Sequence, residues 1–348
     1  MIAGDGIGQE VVPAAMQCLE VIGGVNDITF DFVEFEWGSD YYHKHGRMMP
    51  VDGLERIAPH DAIFLGAVGD PSISDTETLW GVLIPIRRYF EQYINLRPVK
   101  TLVGAKSPLV TTRPIDFVIV RENTEGEYSE VGGRTYRGLP HETAIQESIF
   151  TRFGVERAAR FAAELASKRR GHLTSATKSN GIVHTMPFWD EIVAETVARY
   201  PGLTLESVLI DALAARMVLA PWRFDVVVAS NLFGDILSDL GSALTGSIGV
   251  APSGNLNPEK KHPSMFEPVH GSAPDIAGQG IANPIGQIWA GAMMLDHLGH
   301  PDAAAQLTSA FESVLASGRS TRDLGGSMST AEFTAAVCEA IPEFTAQK

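Results

Sequence analysis

Short, nearly wholly apolar runs alternate along this chain with longer stretches of mixed polarity, and the alternation predicts its elements. Residues 62–65, ending at Gly66, together with 116–120 and 224–229, are apolar over strand length and predict buried strands. Apolar positions over 11–22, 79–93, 155–168 and 186–200 predict helices, and 284–298 is a mostly apolar stretch of helix length. Pro13 fits the first of these because it falls in the opening turns. Residues 126–150 read differently: Gly132-Gly133, Gly138 and Pro140 lie among alternating segments such as 142–146, the pattern of an extended hairpin. Such a hairpin is either an arm used in dimerisation or an ordinary surface feature. The stretch after Ser247, through Asn257-Pro258, is rich in Gly, Pro and Asn and predicts a loop. No internal repeat or low-complexity linker interrupts the series. Strands alternating with helices predict an α/β fold.

Bulk properties narrow the function classes. The chain has 348 residues, 45% hydrophobic and 20% charged, as expected of a globular enzyme with one large or two ordinary domains. Its formal net charge of −15 argues against nucleic acid and anionic membranes as partners. No apolar run approaches the ~20 residues needed to span a bilayer. The first residues show neither a charged nor an apolar leader segment, so a cytoplasmic location is expected. Cys18 and Cys338 each lie in an apolar helical segment, which favours buried thiols over a disulfide.

Candidate chemistry concentrates at strand ends. After the apolar run 224–229 comes Asn231-Leu232-Phe233-Gly234-Asp235-Ile236-Leu237-Ser238-Asp239. On a helix, Asp235 and Asp239 share one face and repel by roughly 0.2–0.5 kcal/mol. A bound Mg²⁺ or Mn²⁺ would convert that liability into a site. The bland reading is a solvated face, with Asp235 in the first turn where the helix dipole favours an acid. Position argues for the sharper reading, because open α/β folds bind ligands at the carboxyl ends of strands. Asp211 follows another apolar run, 208–210, and offers a third carboxylate.

Arg87, Arg88, Arg97 and Arg121 fall close together in an acidic chain, three of them at element ends. Singly each reads as a structural ion pair; together they suit a small polyanionic substrate. Lys178 lies between a strand-like segment and a helix, where a nearby cation would lower its pKa and fit it to act as a base; alone it is a surface charge. Gly4-Asp5-Gly6-Ile7-Gly8 is not a Rossmann fingerprint, because Gln9 stands where the third glycine belongs. A tight strand-to-helix turn is the safer reading. His270-Gly271-Ser272-Ala273-Pro274-Asp275-Ile276 is a glycine-flanked loop suited to a nucleotide, with Asp275 placed to accept ribose hydroxyls.

Together these segments resemble the β-decarboxylating dehydrogenase family of isocitrate, isopropylmalate, tartrate and D-malate dehydrogenases. The resemblance runs from Gly4 to Pro284. Residues 231–239 and 266–275 are its most specific motifs, and 37–42, 121–128 and 175–181 look like the tartrate and D-malate branch. It implies an isopropylmalate/isocitrate dehydrogenase-like two-domain α/β fold with a mixed central sheet, not a Rossmann fold. Residues 1–97 plus 251–348 would form a large nucleotide-binding domain. Residues 98–250 would form a smaller domain with the dimer interface and the arm-like hairpin. The first strand is short for the family and Ala3 replaces its usual proline, as expected if the native start lies upstream of Met1.

The resemblance also implies roles. Arg87, Arg97 and Arg121 would clamp substrate carboxylates, with Trp80 and Leu83 shaping the pocket. Asp235 and Asp239, with Asp211 from the partner subunit of a homodimer, would hold Mn²⁺ or Mg²⁺; whether a monovalent cation such as K⁺ assists is left open. Lys178, also from the partner, would deprotonate the hydroxyl, and Tyr128 would protonate carbon after decarboxylation. Asn180 would lie near the nicotinamide of NAD, and Glu267, His270, Gly271, Ser272, Ala273, Asp275, Ile276 and Asn283 would line the cofactor site. Asp275-Ile276 looks like the NAD version of that loop. Isopropylmalate enzymes place glutamate where Trp80 stands, and isocitrate enzymes use a serine absent between Leu79 and Arg87. The expected reaction is therefore oxidation, with decarboxylation, of tartrate or D-malate. Isopropylmalate oxidation and a non-catalytic metal- and carboxylate-binding role are the alternatives.

Overall fold

The computed structural model describes residues 1–110 and 113–344. Its strands are β1 (Ile2–Gly4), β2 (Ala62–Ala67), β3 (Ile94–Lys100), β4 (Asp116–Glu122), β5 (Gly132–Thr135), β6 (Thr143–Gln146), β7 (His172–Thr177), β8 (Thr204–Leu209), β9 (Val226–Ala229), β10 (Pro252–Leu256) and β11 (Ser264–Pro268). The chain divides into two compact units. One comprises Met1–Gln92, Lys100–Thr111 and Ser242–Lys348; the other comprises Tyr93–Val99 and Thr112–Gly241.

In the first unit the strands run in the order β1-β2-β11-β10, with β1 and β11 parallel to β2 and β10 antiparallel to β11. The helix Gly8–Asn26 leaves the Gly4–Gly8 turn and buries Val11, Ala15, Cys18, Leu19 and Ile22. It packs on Ile285–Leu298 and Thr330–Ala340. Ile285–Leu298 is apolar almost all round and is buried accordingly. Cys18 and Cys338 are free thiols with Sγ atoms 3.7 Å apart.

In the second unit the order is β3-β4-β9-β7-β8, with β4, β9, β7 and β8 mutually parallel. The helix Arg152–Ser167 lays Ala158, Ala159, Ala162, Ala163 and Ala166 on β4 and β9, a stripe of small side chains that permits close approach. Thr151 starts this helix by accepting the Gly154 N–H at 3.0 Å. β5 and β6 form an exposed antiparallel hairpin within 126–150, in the register Gly132↔Gln146.

Three sequence expectations are corrected. The helix expected over 79–93 is instead Asp75–Thr78, a π-helical turn Leu79–Leu83 and Ile84–Tyr89, with β3 beginning at Ile94. Pro85 has no N–H for an α-helical ladder, and the Ile84 N–H bonds the Leu79 carbonyl five residues back. The expected loop after Ser247 contains β10, buried along its whole length despite Pro252, Gly254 and Asn255. Finally, Asp235 is the fifth residue of the helix Asn231–Thr245, whose first turn holds no acid. The helix dipole therefore does not account for it. Among the described residues no helix is long and apolar enough to cross a membrane.

Candidate active site

In the second unit, β4 and β9 run side by side with Arg121 opposite Ala229. Both strands thus end at the same edge. Arg121 is the last residue but one of β4, and the helix carrying Asp235 and Asp239 starts two residues after β9. Arg121 Nη1 donates to Asp235 Oδ1 at 2.5 Å, while its Nε and Nη2 donate to Asn231 Oδ1 at 3.0 and 2.6 Å. Arg97 on β3 donates through Nη1 to Asp235 Oδ1 at 3.2 Å, to Ser238 Oγ at 2.6 Å and to Asp239 Oδ1 at 3.5 Å. The Tyr128 hydroxyl donates to Asp235 Oδ2 at 3.0 Å, and its ring lies 5.5 Å from the Arg121 guanidinium.

Two buried guanidinium ions thus face two carboxylates. Partial loss of hydration pushes the Asp239 carboxyl above its usual range. Arg97 and Arg121 pull it back, and Asp235 pushes it further up. Its side chain is nevertheless 58% exposed, against 32% for Asp235, so the pair opens outward. Arg97 Nε is buried with no hydrogen-bond partner.

The loop between Arg121 and Tyr128 is clasped at both ends. Buried Glu122 accepts from Thr124 Oγ1 at 2.7 Å and from the Glu125 N–H at 2.9 Å. Burial pushes its carboxyl up and these bonds draw it back. Glu127 caps the helix Asn231–Thr245, accepting from Ser230 Oγ at 2.8 Å and the Leu232 N–H at 3.1 Å.

A separate pair lies at the ends of β7 and β8, which are in register at Thr177↔Leu209. Lys178 Nζ donates to Asp211 Oδ1 at 2.8 Å, and this bond holds the Asp211 carboxyl below the usual carboxylate range. Asn180 is exposed beside it. Among the described residues no three His, Cys, Asp or Glu side chains come together to hold a metal. Asp235 and Asp239 stand together; Asp211 stands with Lys178.

In the first unit, Arg87 Nη2 donates to Glu267 Oε1 at 2.9 Å, and Asn255 Nδ2 donates to the same oxygen at 2.7 Å. Arg87 Nε is buried and unpartnered. Arg88 lies 4.9 Å over the Trp80 ring, and Leu83 packs against a core cluster that includes Val82 and Ile86.

The turn Gly4–Gly8 buttresses the His270 loop. The Ile7 N–H donates to the Ser272 carbonyl at 2.8 Å, and a Cβ at Gly6 would sit 2.0 Å from that oxygen. Asp5 is a hub for the same turn, accepting from Ser39 N–H and Oγ and from the Gly69 N–H. His270 bonds the Gly271 carbonyl through Nδ1 at 3.0 Å, and burial pushes its pKa down, which keeps the ring neutral. Its Nε2 is buried without a partner. Ala273 has φ 41°, and Ile276 packs with Ile7, Val11 and Ala282. Gly271 and Asp275 are exposed, and no side chain or backbone crowds Gly271. Asn283 Nδ2 donates to Asp323 Oδ2 at 2.9 Å, which also takes the Ser247 hydroxyl at 2.5 Å.

Sequence reasoning gave no role to Asn231, Glu127, Ser238, Asn255 or Asp323. Asn231, Ser238 and Glu127 lie inside recognised motifs; Asn255 and Asp323 carry no local signal.

Residues 1–337 match the family described as isocitrate/isopropylmalate dehydrogenase. A probable tartrate dehydrogenase/decarboxylase of Bacillus subtilis (strain 168) is 57% identical over 342 residues, 97% of this chain and 96% of the relative. The decarboxylating D-malate dehydrogenase of Escherichia coli (strain K12) is 53% identical over 98% of this chain and 97% of its own length. A crystal structure of isocitrate dehydrogenase from Methylococcus capsulatus is similar with TM-score 0.89 and 34% identity, covering 98% of each chain. The match over nearly the whole length, in a chain whose motif residues gather at strand ends, places this protein in the isocitrate/isopropylmalate dehydrogenase family.

Proposed function

We propose that this enzyme oxidises D-malate and tartrate with NAD⁺ and a divalent metal, and decarboxylates the oxidised product. The observation that carries this reading is the cluster of Arg97, Arg121, Tyr128, Asp235 and Asp239, which pairs cations for a dicarboxylate with oxygen ligands for a hard metal. Relatives more than half identical over nearly the whole chain bear the tartrate and D-malate dehydrogenase names.

The residues fit the groups the reaction needs. Asp235 and Asp239 would hold Mn²⁺ or Mg²⁺, with Asp211 from a partner subunit as the third carboxylate. The separation of the Lys178–Asp211 pair from Asp235 and Asp239 within one chain supports a homodimer that supplies both residues across its interface. The exposed apolar side chains Tyr136, Leu139, Ile145 and Ile149 support 126–150 as its arm. The unpartnered His270 Nε2 and the open backbone at Gly271 suit an adenosine, with Ser272, Ala273, Asp275, Ile276 and Asn283 around it and Asn180 and Glu267 toward the nicotinamide. When bound, the metal supplies Lewis acidity at the substrate oxygens and NAD⁺ accepts the hydride.

The chain's own residues do the rest. Arg87, Arg97 and Arg121 orient the carboxylates through their guanidinium groups. Lys178 Nζ takes the proton from the C2 hydroxyl. Tyr128 Oη gives a proton to the carbon from which CO₂ departs. Trp80, held under Arg88, narrows the pocket to four-carbon acids together with Leu83.

Steady-state rates with D-malate, L-tartrate, meso-tartrate and 3-isopropylmalate, each with NAD⁺ or NADP⁺ and Mn²⁺ or Mg²⁺, test this directly. NADH formation with D-malate or tartrate is expected. A preference for 3-isopropylmalate would reverse the pocket argument, and no NADH with any of the four acids would overturn the enzymatic reading.

A further inference from the structure

Arg121 is held in an unusual way for a residue that must attract an anion. Its side chain is only 4% exposed, and its head is fixed from the helix Asn231–Thr245. Two of its nitrogens, Nε and Nη2, converge on the single oxygen Oδ1 of Asn231 at 3.0 and 2.6 Å. The Asn231 amide is turned this way because its Nδ2 donates to the Glu125 carbonyl at 3.1 Å, and the residue itself is 4% exposed. The Arg121 stem crosses the first turn of the helix at Gly234. A Cβ there would lie 2.6 and 2.7 Å from Arg121 Cβ and Cγ, closer than non-bonded carbons approach.

We propose that Asn231 and Gly234 are positioning residues for Arg121, fixing its guanidinium toward the substrate carboxylate without adding a second negative charge to that of Asp235, which already pairs with Nη1. The inference rests on the reading of Arg121 as a carboxylate-binding residue. A carboxylate at position 231 would hold the same fork, but beside Asp235 it would be a second anion on one guanidinium and would repel an anionic substrate. An amide holds the fork and adds no charge. Glycine at 234 is required by space and not by backbone conformation, since alanine is the better helix former.

The test is a mutant cycle with a structural readout. Asn231→Ala should raise KM for D-malate and tartrate about 10- to 100-fold, the range for losing hydrogen bonds to a charged group. KM for NAD⁺ should stay near wild type. In an Arg121→Lys background the same substitution should cost little more, because the fork is already gone. Asn231→Asp should keep the Arg121 Nε–H slowly exchanging in ¹H–¹⁵N spectra, yet still raise KM for the diacid. Asn231→Ala should make that proton exchange fast. Gly234→Ala should raise the diacid KM as Asn231→Ala does. Full additivity of Asn231→Ala with Arg121→Lys, or an Arg121 Nε–H equally protected without Asn231, would overturn the proposal. A wild-type enzyme that forms no NADH with any hydroxy diacid would instead overturn the functional reading, while the exchange experiment would still decide how Arg121 is held.

Discussion

Asp235 and Asp211 are both acids at the carboxyl ends of parallel strands in the second unit, but their surroundings are opposite. Asp235 meets Arg97, Arg121 and Tyr128, and the two arginine side chains are 9% and 4% exposed. Asp211 meets Lys178, and those side chains are 67% and 30% exposed. The first group is organised in advance by buried charge, a capped helix and a clasped loop. The second is a surface ion pair whose geometry the fold barely enforces. Buried cations that face half-open carboxylates suit the part of the proposed site that one chain builds alone. An exposed lysine–aspartate pair on adjacent strand ends suits a part that must reach another chain. Substitutions that remove the hydrogen-bonding groups of the first cluster should therefore affect fold and activity together, whereas isosteric ones there, and any at the second, should affect activity alone.

The sharpest break comes at the first group. Asp235→Asn should abolish turnover supported by Mn²⁺ or Mg²⁺, a loss above the roughly 10- to 100-fold that follows when only outer-shell partners of a metal are removed. The amide oxygen can still accept from Arg97 and Arg121, so circular dichroism should be that of wild type. Measured kcat against metal concentration, with the spectra alongside, checks both halves. Unchanged turnover and metal affinity would remove Asp235 from the metal site.

Lys178→Met should lower kcat by about 10²–10⁴-fold, the usual range for losing a positioned base. Because Lys178 lies at the surface, Tm should not move. Comparing kcat and Tm for this variant with those of Asp235→Asn tests the contrast itself. A large loss of Tm in Lys178→Met would mean that the exposed pair is structural.

These contrasts were only partly legible in the sequence. Asp235, Asp239, Arg97 and Arg121 stood out because like charges on one helix face, and arginines at element ends in an acidic chain, are locally conspicuous. Their fixings were not. Asn231 and Arg121 are 110 residues apart, Glu127 and Ser230 are 103 apart, and Asp323 binds Ser247 and Asn283 across 76 and 40 residues. No local pattern reports such bonds. The fold shows the same limit. The parallel strands β2, β4 and β9 could be anticipated from apolar runs, because sheets covered on both faces are apolar throughout. β10 was read as loop because it buries Ser253 and Asn255, and the latter is satisfied by Glu267 on the neighbouring strand. Pro85, by contrast, was visible evidence against one continuous helix over 79–93, and its missing N–H explains the π-helical turn.

Tyr128→Phe should have a smaller and more selective effect. It removes the hydroxyl that now donates to Asp235 Oδ2 at 3.0 Å, so a charge-assisted bond goes along with the proton source. Turnover that ends in decarboxylation should fall about 100-fold or more, at the lower end of what proton transfer contributes. Oxidation of tartrate without loss of CO₂ should fall less. Separate assays of NADH and CO₂ give the ratio, and equal losses in both would argue against Tyr128 as the acid.

The smallest effect expected is on acid stability, and it returns to the difference between buried and exposed carboxylates. Asp225 and Asp211 both have depressed pKa values in the folded chain. For Asp225, burial pushes upward but is outweighed by the Arg169 side chain and by the N–H groups of His172 and Arg170. For Asp211, the Lys178 hydrogen bond dominates. A depressed folded pKa contributes stability above the unfolded value, near 3.9, that is lost as pH falls through the folded value. The sign is the same for both, but the Asp225 side chain is 1% exposed and the Asp211 side chain is 67% exposed. Asp225→Asn should therefore lower stability at pH 7 by about 2 kcal/mol, as expected for weakening hydrogen bonds to a buried charge. The difference from wild type should shrink as pH falls toward 3. Asp211→Asn should follow the wild-type curve throughout, since solvent screens its pair at every pH. Tm measured from pH 7 to 3 for the three proteins decides it: a shift for Asp211→Asn as large as that for Asp225→Asn would show that the exposed pair is held by the fold after all.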